Sequence, residues 1–478
     1  MSRFNGKEVG TKTTNRAGGE AYKLSTKEEL AFLLLTSFVK DQFYRSADDT
    51  MEEVRKLIHG GDKLFAAKAA IYARNEFGMR SISHVVAGEI AKQVKGESWT
   101  KNFFDKVIRR PDDMSEIFSY YTANYGKRSI PNSMRKGIAK ALERFDEYSL
   151  AKYRGAGKAF NLVDLVNLCH PKYTEALTKL MTGKLAPAET WETKLTQAGQ
   201  KAENDEQKDD LKGQAWKDLI SEKKLGYFAL LRNLRNIVEQ APEVLDEALT
   251  QLVDRKAIKK SLVLPFRFLS ALDALQSVQH QYLRKIIVAV NEAVEISLDN
   301  VPKLKGRTLV VLDRSGSMGH TDPKSPFVIG SLFAAALYKS NDADLMLFSD
   351  TAEMIAPNPK DSLGSIIQHI GKSRDGGGTD FRVIFETAKG AYERIVILSD
   401  MQGWVGYDAP TKEFERYKKD TKCNPFVYSF DLQGYGTLQL PEDRVFCLAG
   451  FSEKTMDIMA LLEEDRKALV HKIEAIEL

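Results

Sequence analysis

The chain is poor in cysteine: Cys169, Cys423 and Cys447 are its only three in 478 residues, far apart and with no CxxC pair. That excludes a disulfide framework and a thiolate zinc site, and it fits a reducing compartment. No stretch approaches the roughly 18 consecutive apolar residues of a membrane-spanning helix. The opening MSRFNGKEVGTKTTNRAGGE is polar and lacks the apolar run of a secretory signal. A soluble, cytoplasmic protein is therefore expected. No GK[ST] follows a glycine-rich loop, and no paired acid–base or nucleophile set stands out, so catalysis is not expected.

What is present is an ordinary globular composition, 43% apolar and 28% charged, rich enough to bury sizeable cores. The net charge of +4 conceals an asymmetry. Of the 70 Lys+Arg and 66 Asp+Glu, 20 and 26 lie from Gly306 onward, which leaves 50 and 40 before it. The N-terminal part is thus the one suited to a polyanion.

The texture changes near residue 305. Before it, from Leu24 to about Asn300, the pattern is helical and nearly free of strands. LSTKEELAFLLLTSFVKDQF opens with a Ser25/Glu28 capping box, and TMEEVRKLIHGGDK repeats the plan with Thr50 and Glu53. LFAAKAAIYARNEF, SHVVAGEIAKQV, SMRKGIAKALERF, DLVNLCHPKYTEALTKLM, YFALLRNLRNIV and YLRKIIVAVNEAVEIS read as further amphipathic helices. So many helices with short breaks predict an α-solenoid of helix pairs over residues 1–305. The polar stretch 197–212 reads as a loop or a solvated helix. From 306 to 478, LVVLD, DLMLFS, RIVILSD, FVYSFDL and VFCLAGF are short apolar strands. Helical segments alternate with several of them, which predicts a mainly parallel, doubly wound α/β sheet.

In such a sheet, ligands bind at the carboxyl ends of the strands. Asp313, Ser315 and Ser317 follow the first strand, Asp400 closes RIVILSD, and GGGTD presents Thr379 before a helix. Two carboxylates and three hydroxyls form an all-oxygen set suited to Mg²⁺, a hard cation that keeps several waters. Hydroxyl ligands leave the ion electron-poor and partial to an acidic ligand. DxSxS alone is also ordinary turn chemistry. A two-metal nuclease would need more direct carboxylates than Asp313 and Asp400, with Asp380 a distant extra.

The helical part carries one dense basic segment. Lys127 to Lys158 holds nine basic residues (Lys127, Arg128, Arg135, Lys136, Lys140, Arg144, Lys152, Arg154, Lys158) against three acidic ones. Lys152 and Arg154 flank Tyr153, whose ring can stack on a base. Charge alone fits a solvated helix face as well as a nucleic-acid surface. His84 and His170 read as core or cap histidines, and Trp99, Trp191, Trp216 and Trp404 as packing residues.

DRSGSM, GGGTD and ILSD resemble the metal-ion-dependent adhesion site of von Willebrand factor A domains. TNRAGGEAY, VIRRPDD, SIPNSMRKGIAKALERFDEYSLAKYRG, YFALLRNLRNI and LPFRFLSAL resemble the TROVE module. Together they resemble the Ro ribonucleoprotein family, with the wording of its bacterial members. The resemblance implies a ring of HEAT-like helical repeats closed by a von Willebrand A domain. It implies a scaffold that binds a small noncoding Y-like RNA and the ends of misfolded or structured noncoding RNA. In bacterial relatives such an RNA tethers polynucleotide phosphorylase. At the metal, Ser315, Ser317 and Thr379 would be direct ligands, Asp313 and Asp400 would act through water, and the open position would take an acidic protein ligand. For RNA it points to Arg135 through Arg154, with Arg109, Arg110 and His170 as additions. One departure stands out: animal members carry a Ser-His pair where this chain has Asn161-Leu162, which favours backbone-driven binding over reading of an animal-type Y RNA stem. The competing expectation is a Mg²⁺-dependent protein-interaction module without RNA.

Overall fold

The computed structural model describes residues 11–478 apart from 16–17, 24, 37–46, 127–129, 155–158, 189, 203, 276–279, 302, 320–324, 374–376, 404–409, 434–438, 441, 443, 449–458, 460–461 and 464–466. The described chain opens with a hairpin, β1 (Thr11–Thr14) and β2 (Glu20–Lys23), just ahead of the helical stretch that begins at Leu24 and inside the part expected to be all-α. Its polar residues give no alternating apolar signal. The Asn15 side chain makes the turn instead, accepting from the Gly19 amide at 2.8 Å and donating to the Gly403 carbonyl of the distant α/β domain at 2.6 Å.

The helices follow in two groups. The first comprises α1 (Thr26–Thr36), α2 (Ala47–Gly60), α3 (Lys63–Glu76), α4 (Ser81–Gln93), α5 (Thr100–Val107), α6 (Pro111–Tyr125), α7 (Asn132–Glu143), α8 (Glu147–Lys152), α9 (Leu162–Cys169) and α10 (Glu175–Met181). The second comprises α11 (Trp191–Gln200), α12 (Asp205–Ser221), α13 (Tyr227–Gln240), α14 (Leu245–Leu252), α15 (Arg255–Ser261), α16 (Phe266–Leu275) and α17 (Leu283–Ser297). Ser25 and Glu28 form the expected capping box, with the Ser25 amide donating to the Glu28 carboxylate at 3.0 Å. Thr50 falls inside α2, which begins at Ala47 rather than after it. DLVNLCHPKYTEALTKLM is two helices rather than one. His170 takes a left-handed conformation (φ 51°) ahead of Pro171, which ends α9. Much of the polar stretch 197–212 is solvated helix, within α11 and α12.

The α/β part has a six-stranded sheet: β3 (Thr308–Asp313), β4 (Asp344–Phe348), β5 (Ala352–Ile355), β6 (Arg394–Ser399), β7 (Phe426–Asp431) and β8 (Val445–Leu448). Their order is β5-β4-β3-β6-β7-β8, and every pairing is parallel except β5 on β4. Helices α18 (Pro326–Asn341), α19 (Leu363–Lys372), α20 (Arg382–Thr387) and α21 (Pro410–Thr421) accompany it. The order reverses about β3, with β4 on one side and β6 on the other. The cleft at the ends of β3 and β6 is therefore where such a sheet receives a ligand.

Two apolar cores run through the helical part. One unites residues from Leu30 to Leu185. The other runs from Trp216 to Val301 and continues without a break into one face of the sheet through Val310, Leu312 and the apolar side of α18. The final helix, α22 (Ala468–Glu474), returns to the first core, where Val470 and Ile473 are buried. Lys27 pairs with Glu474 at 2.5 Å, Lys68 donates to the Glu474 carbonyl at 2.5 Å, and Lys106 donates to the Glu477 carbonyl at 2.7 Å. The chain thus closes on itself as a ring of helical repeats, with the α/β domain between its two ends.

Ile473→Ala should lower the urea midpoint by the equivalent of about 2–4 kcal/mol, because it empties a packed site at this seam. Val288→Ala, at a position 60% exposed, should stay within about 0.5 kcal/mol of the parent.

Candidate metal centre and nucleic-acid interface

Strand register brings the first cluster together. Leu312 lies level with Leu398 in the parallel pair β3–β6, so Asp313 and Ser399 emerge side by side, with Asp400 one residue on. The Asp313 carboxylate is fully buried. It accepts from the Ser315 amide at 2.8 Å and from the Ser399 hydroxyl at 2.5 Å. Ser315 Oγ lies 3.4 Å from Ser317 Oγ. The glycine-rich loop is tied in by the Gly316 amide, which donates to the Gly377 carbonyl at 3.1 Å. Thr379, 1% exposed, stands in that loop. Asp400 Oδ1 accepts from the Gln402 amide at 3.2 Å. Of the five residues expected from the sequence, Asp313, Ser315, Ser317 and Asp400 stand together, and Thr379 lies in the loop that Gly377 ties to them. Asp380 does not join them: its carboxylate turns to the Arg382 guanidinium, 2.6 Å away. Ser399, which fixes Asp313, lay in plain view in RIVILSD but reads there as a strand residue.

Electrostatically the cluster is incomplete. Burial first, and then the charge of Asp400, push the Asp313 carboxyl up to about 7. Burial raises Asp400 as well, partly offset by the Ser317 hydroxyl and the Gln402 amide. Thr379 Oγ1 and Asp400 Oδ2 are both buried without a hydrogen-bond partner among the described residues. Buried oxygens left unpaired cost about 1–3 kcal/mol each, and two adjacent buried carboxyls resist ionising together. A divalent cation held by hydroxyls and carboxylates answers both deficits at once. The donor set fits a hard, oxygen-preferring ion.

The second cluster is built around a different carboxylate. Asp113 is buried at the start of α6 and accepts from Arg74 at 2.8 Å, Arg80 at 3.2 Å, His84 at 3.1 Å, and the amides of Arg109 and Arg110 at 2.9 and 3.0 Å. Burial alone would raise it, but His84 and Arg74 hold it well below the usual carboxylate range. This hub shapes the RRPDD turn. It leaves Arg109 exposed, while Arg110 bonds Asp112 at 2.6 Å and lies 4.5 Å over the Tyr153 ring.

That stacking bears on the expected RNA residues. The face of Tyr153 under Arg110 is already covered. Lys152 approaches the Tyr148 and Tyr153 rings at 5.8 and 5.7 Å. Lys140 pairs with Asp105 at 2.9 Å, and Arg135 donates to Asn132 at 2.9 Å. Lys136, Arg154 and His170 are exposed. Arg128 lies outside the described residues. Asn161 caps α9, accepting from the Asp164 amide at 3.0 Å, and Leu162 is fully buried, so neither replaces the Ser-His pair as a contact.

A family model described as the TROVE domain matches residues 39–182 and 179–315. The RNA-binding protein RO60 of Deinococcus radiodurans is 25% identical over 468 residues, which covers 84% of this chain and 86% of that protein. Telomerase protein component 1 of Mus musculus is 22% identical over 352 residues, 54% of this chain but only 13% of that much longer protein. The crystal structure of the Deinococcus radiodurans RO (RSR) protein matches 94% of this chain and 100% of its own, with a TM-score of 0.64 and 19% identity. The fold is therefore shared.

Thr379→Val removes a hydroxyl with no partner among the described residues and keeps the shape. In chelator it should leave unfolding stability unchanged or raise it by up to about 1 kcal/mol, as read by thermal denaturation. A loss above that would show that the hydroxyl is already satisfied.

Proposed function

The chain belongs to the TROVE-domain family, in its bacterial Ro type, and on that footing we propose that it is the RNA-binding scaffold of a ribonucleoprotein. The observation that carries the reading is the family match over residues 39–315 combined with exposed cations on that same helical part. The RNA it takes is a small noncoding, Y-like RNA together with the ends of misfolded or structured RNA. Phosphates met by Lys136, Lys152, Arg154 and Arg109 release counterions, and that release supplies affinity that falls with salt. The scaffold itself runs no reaction. Cleavage belongs to a partner exoribonuclease such as polynucleotide phosphorylase, brought in through the RNA.

The α/β domain adds a second binding function. Ser315, Ser317 and Thr379 would hold a divalent ion, Mg²⁺ by preference, with Asp313 and Asp400 behind them. Such an ion supplies an electron-poor position that takes an acidic side chain of a protein partner. Asp313 meanwhile fixes the Ser315 amide and the Ser399 hydroxyl, which keeps the serine loop in place. The two orphaned oxygens of Thr379 and Asp400 support this reading.

Two experiments test it. Full-length protein freed of nucleic acid should bind a structured RNA with a single-stranded 3′ tail, with log affinity falling linearly in log salt. Lys136→Glu/Lys140→Glu/Arg154→Glu should weaken binding by more than about tenfold. Absence of any salt-dependent affinity would leave the metal-dependent protein-interaction module as the better reading. For the ion, Mg²⁺ should raise the melting temperature of the parent. Asp400→Asn should raise it in chelator, by relieving the carboxyl pair, and should abolish the Mg²⁺ response. A Mg²⁺ response that survives Asp400→Asn would remove Asp400 from the site.

A further inference from the structure

Helices α4, α5 and α7 enclose a cleft of about 630 Å³. Lys92 on α4 and Lys95 just beyond it line one part, Lys101 on α5 another, and Lys136 on α7 a third. Glu97 is the only carboxylate among its described lining residues. All four lysines are exposed. Among the described residues none of their ammoniums pairs with a carboxylate, and Lys92 rests 5.1 Å from the centre of the Tyr125 ring. The neighbouring cations behave otherwise: Lys140 on α7 and Arg144 just past its end are both spent on Asp105. The first turns of α5 and α7 also reach this lining through Thr100, Lys101, Asn132 and Ser133. Neither turn carries a side-chain cap, so their amides add partial positive charge.

Four like charges in one concavity repel each other, and a concave low-dielectric wall concentrates their field on whatever anion enters. We infer that this cleft is a phosphate-binding channel for the sugar–phosphate backbone of a single RNA strand, a site that extends beyond the Arg135–Arg154 segment onto α4 and α5 and shares Lys136 with it. The inference rests on the RNA-binding reading above. Size and continuity favour a strand over an isolated phosphate: the cleft is several times the volume of one phosphate, and Lys136 carries its charge onto α7 toward that segment. Lys95 and Lys101 are its distinctive residues. Both are exposed and form no ion pair among the described residues, so their replacement leaves no buried charge behind.

The experiment is a salt titration of binding to a single-stranded oligouridylate by three full-length proteins: the parent, Lys95→Gln/Lys101→Gln, and Lys372→Gln/Lys419→Gln. The last pair removes two exposed lysines of the α/β domain and matches the loss of net charge. Two lost phosphate contacts should reduce the log–log salt slope by about 1.4 and weaken binding on the order of tenfold near 0.1 M salt. The α/β-domain pair should change neither. An unchanged slope and affinity in Lys95→Gln/Lys101→Gln overturns the channel while RNA binding stands. An equal loss in both double variants also overturns it, since diffuse charge would then suffice. A parent that shows no salt-dependent affinity overturns the RNA-binding reading itself, and the channel with it.

Discussion

Everything in this fold depends on the seam where the last helix meets the first ones. The two helical cores are distinct clusters, bridged among the described residues by the partly buried Phe77 and Leu469, and each has an end that another part of the chain completes. One end is completed by continuity with the sheet face of Val310, Leu312 and α18. The other is completed by Val470 and Ile473, delivered from the far end of the chain and pinned by Lys27, Lys68 and Lys106. Exposed ion pairs contribute little to stability. The apolar contact therefore holds the seam, and the lysines set its register. The hairpin adds a second tie through Asn15 and Gly403, next to the loop that carries Asp400. The position of the helical repeats and the setting of the strand-end cluster are consequently one structural problem.

Buried carboxylates separate structure from function within this frame. Asp113 and Asp313 are equally inaccessible. Asp113 has two guanidiniums, a histidine and two amides around it, and its negative charge is fully answered. Asp313 faces a second carboxylate, and among the described residues it is met by the Ser315 amide and by serine hydroxyls, with no cation. A protein that wanted Asp313 merely as a brace would supply a cation, as it does at Asp113. The deficit at Asp313, Asp400 and Thr379 is instead one that a hard divalent ion would answer, which is what supports the proposed metal centre.

The strands and the strand-end cluster were legible because their signal is local. β3, β6 and β7 are runs of β-branched and aromatic residues, and Asp313, Ser315 and Ser317 follow one of them directly. Strand β5 was missed because it is a four-residue edge strand, at best half-buried, with no apolar alternation. The hairpin was missed because its strands, TKTT and EAYK, are largely polar and its turn is made by a side chain. The helix break at His170 was missed despite Pro171, because the apolar period runs straight across it. The rank of the basic residues could not be read at all. Lys140 and Arg144 owe their neutralisation to Asp105, more than thirty positions away, and no spacing rule along one helix reports such a partner.

That last point governs how the charge of the helical part should be weighed. Before Gly306 the chain carries ten more basic than acidic residues, but a cation already paired with a carboxylate gives a polyanion little new to gain. It must exchange one partner for another, and the freed carboxylate then repels the phosphate. The useful cations are those with no ion pair among the described residues: Lys95, Lys101 and Lys136 around one cleft, with Arg154 and Arg109 on the neighbouring turns. Sequence density favoured Lys127 to Lys158 because nine basic residues fall there together. Three-dimensional pairing moves the weight toward α4 and α5, where KQVKGESWTK looked unremarkable as a string yet supplies three of the four lysines that converge. The surface that attracts RNA is therefore defined less by where basic residues are abundant than by where the fold has withheld their counterions.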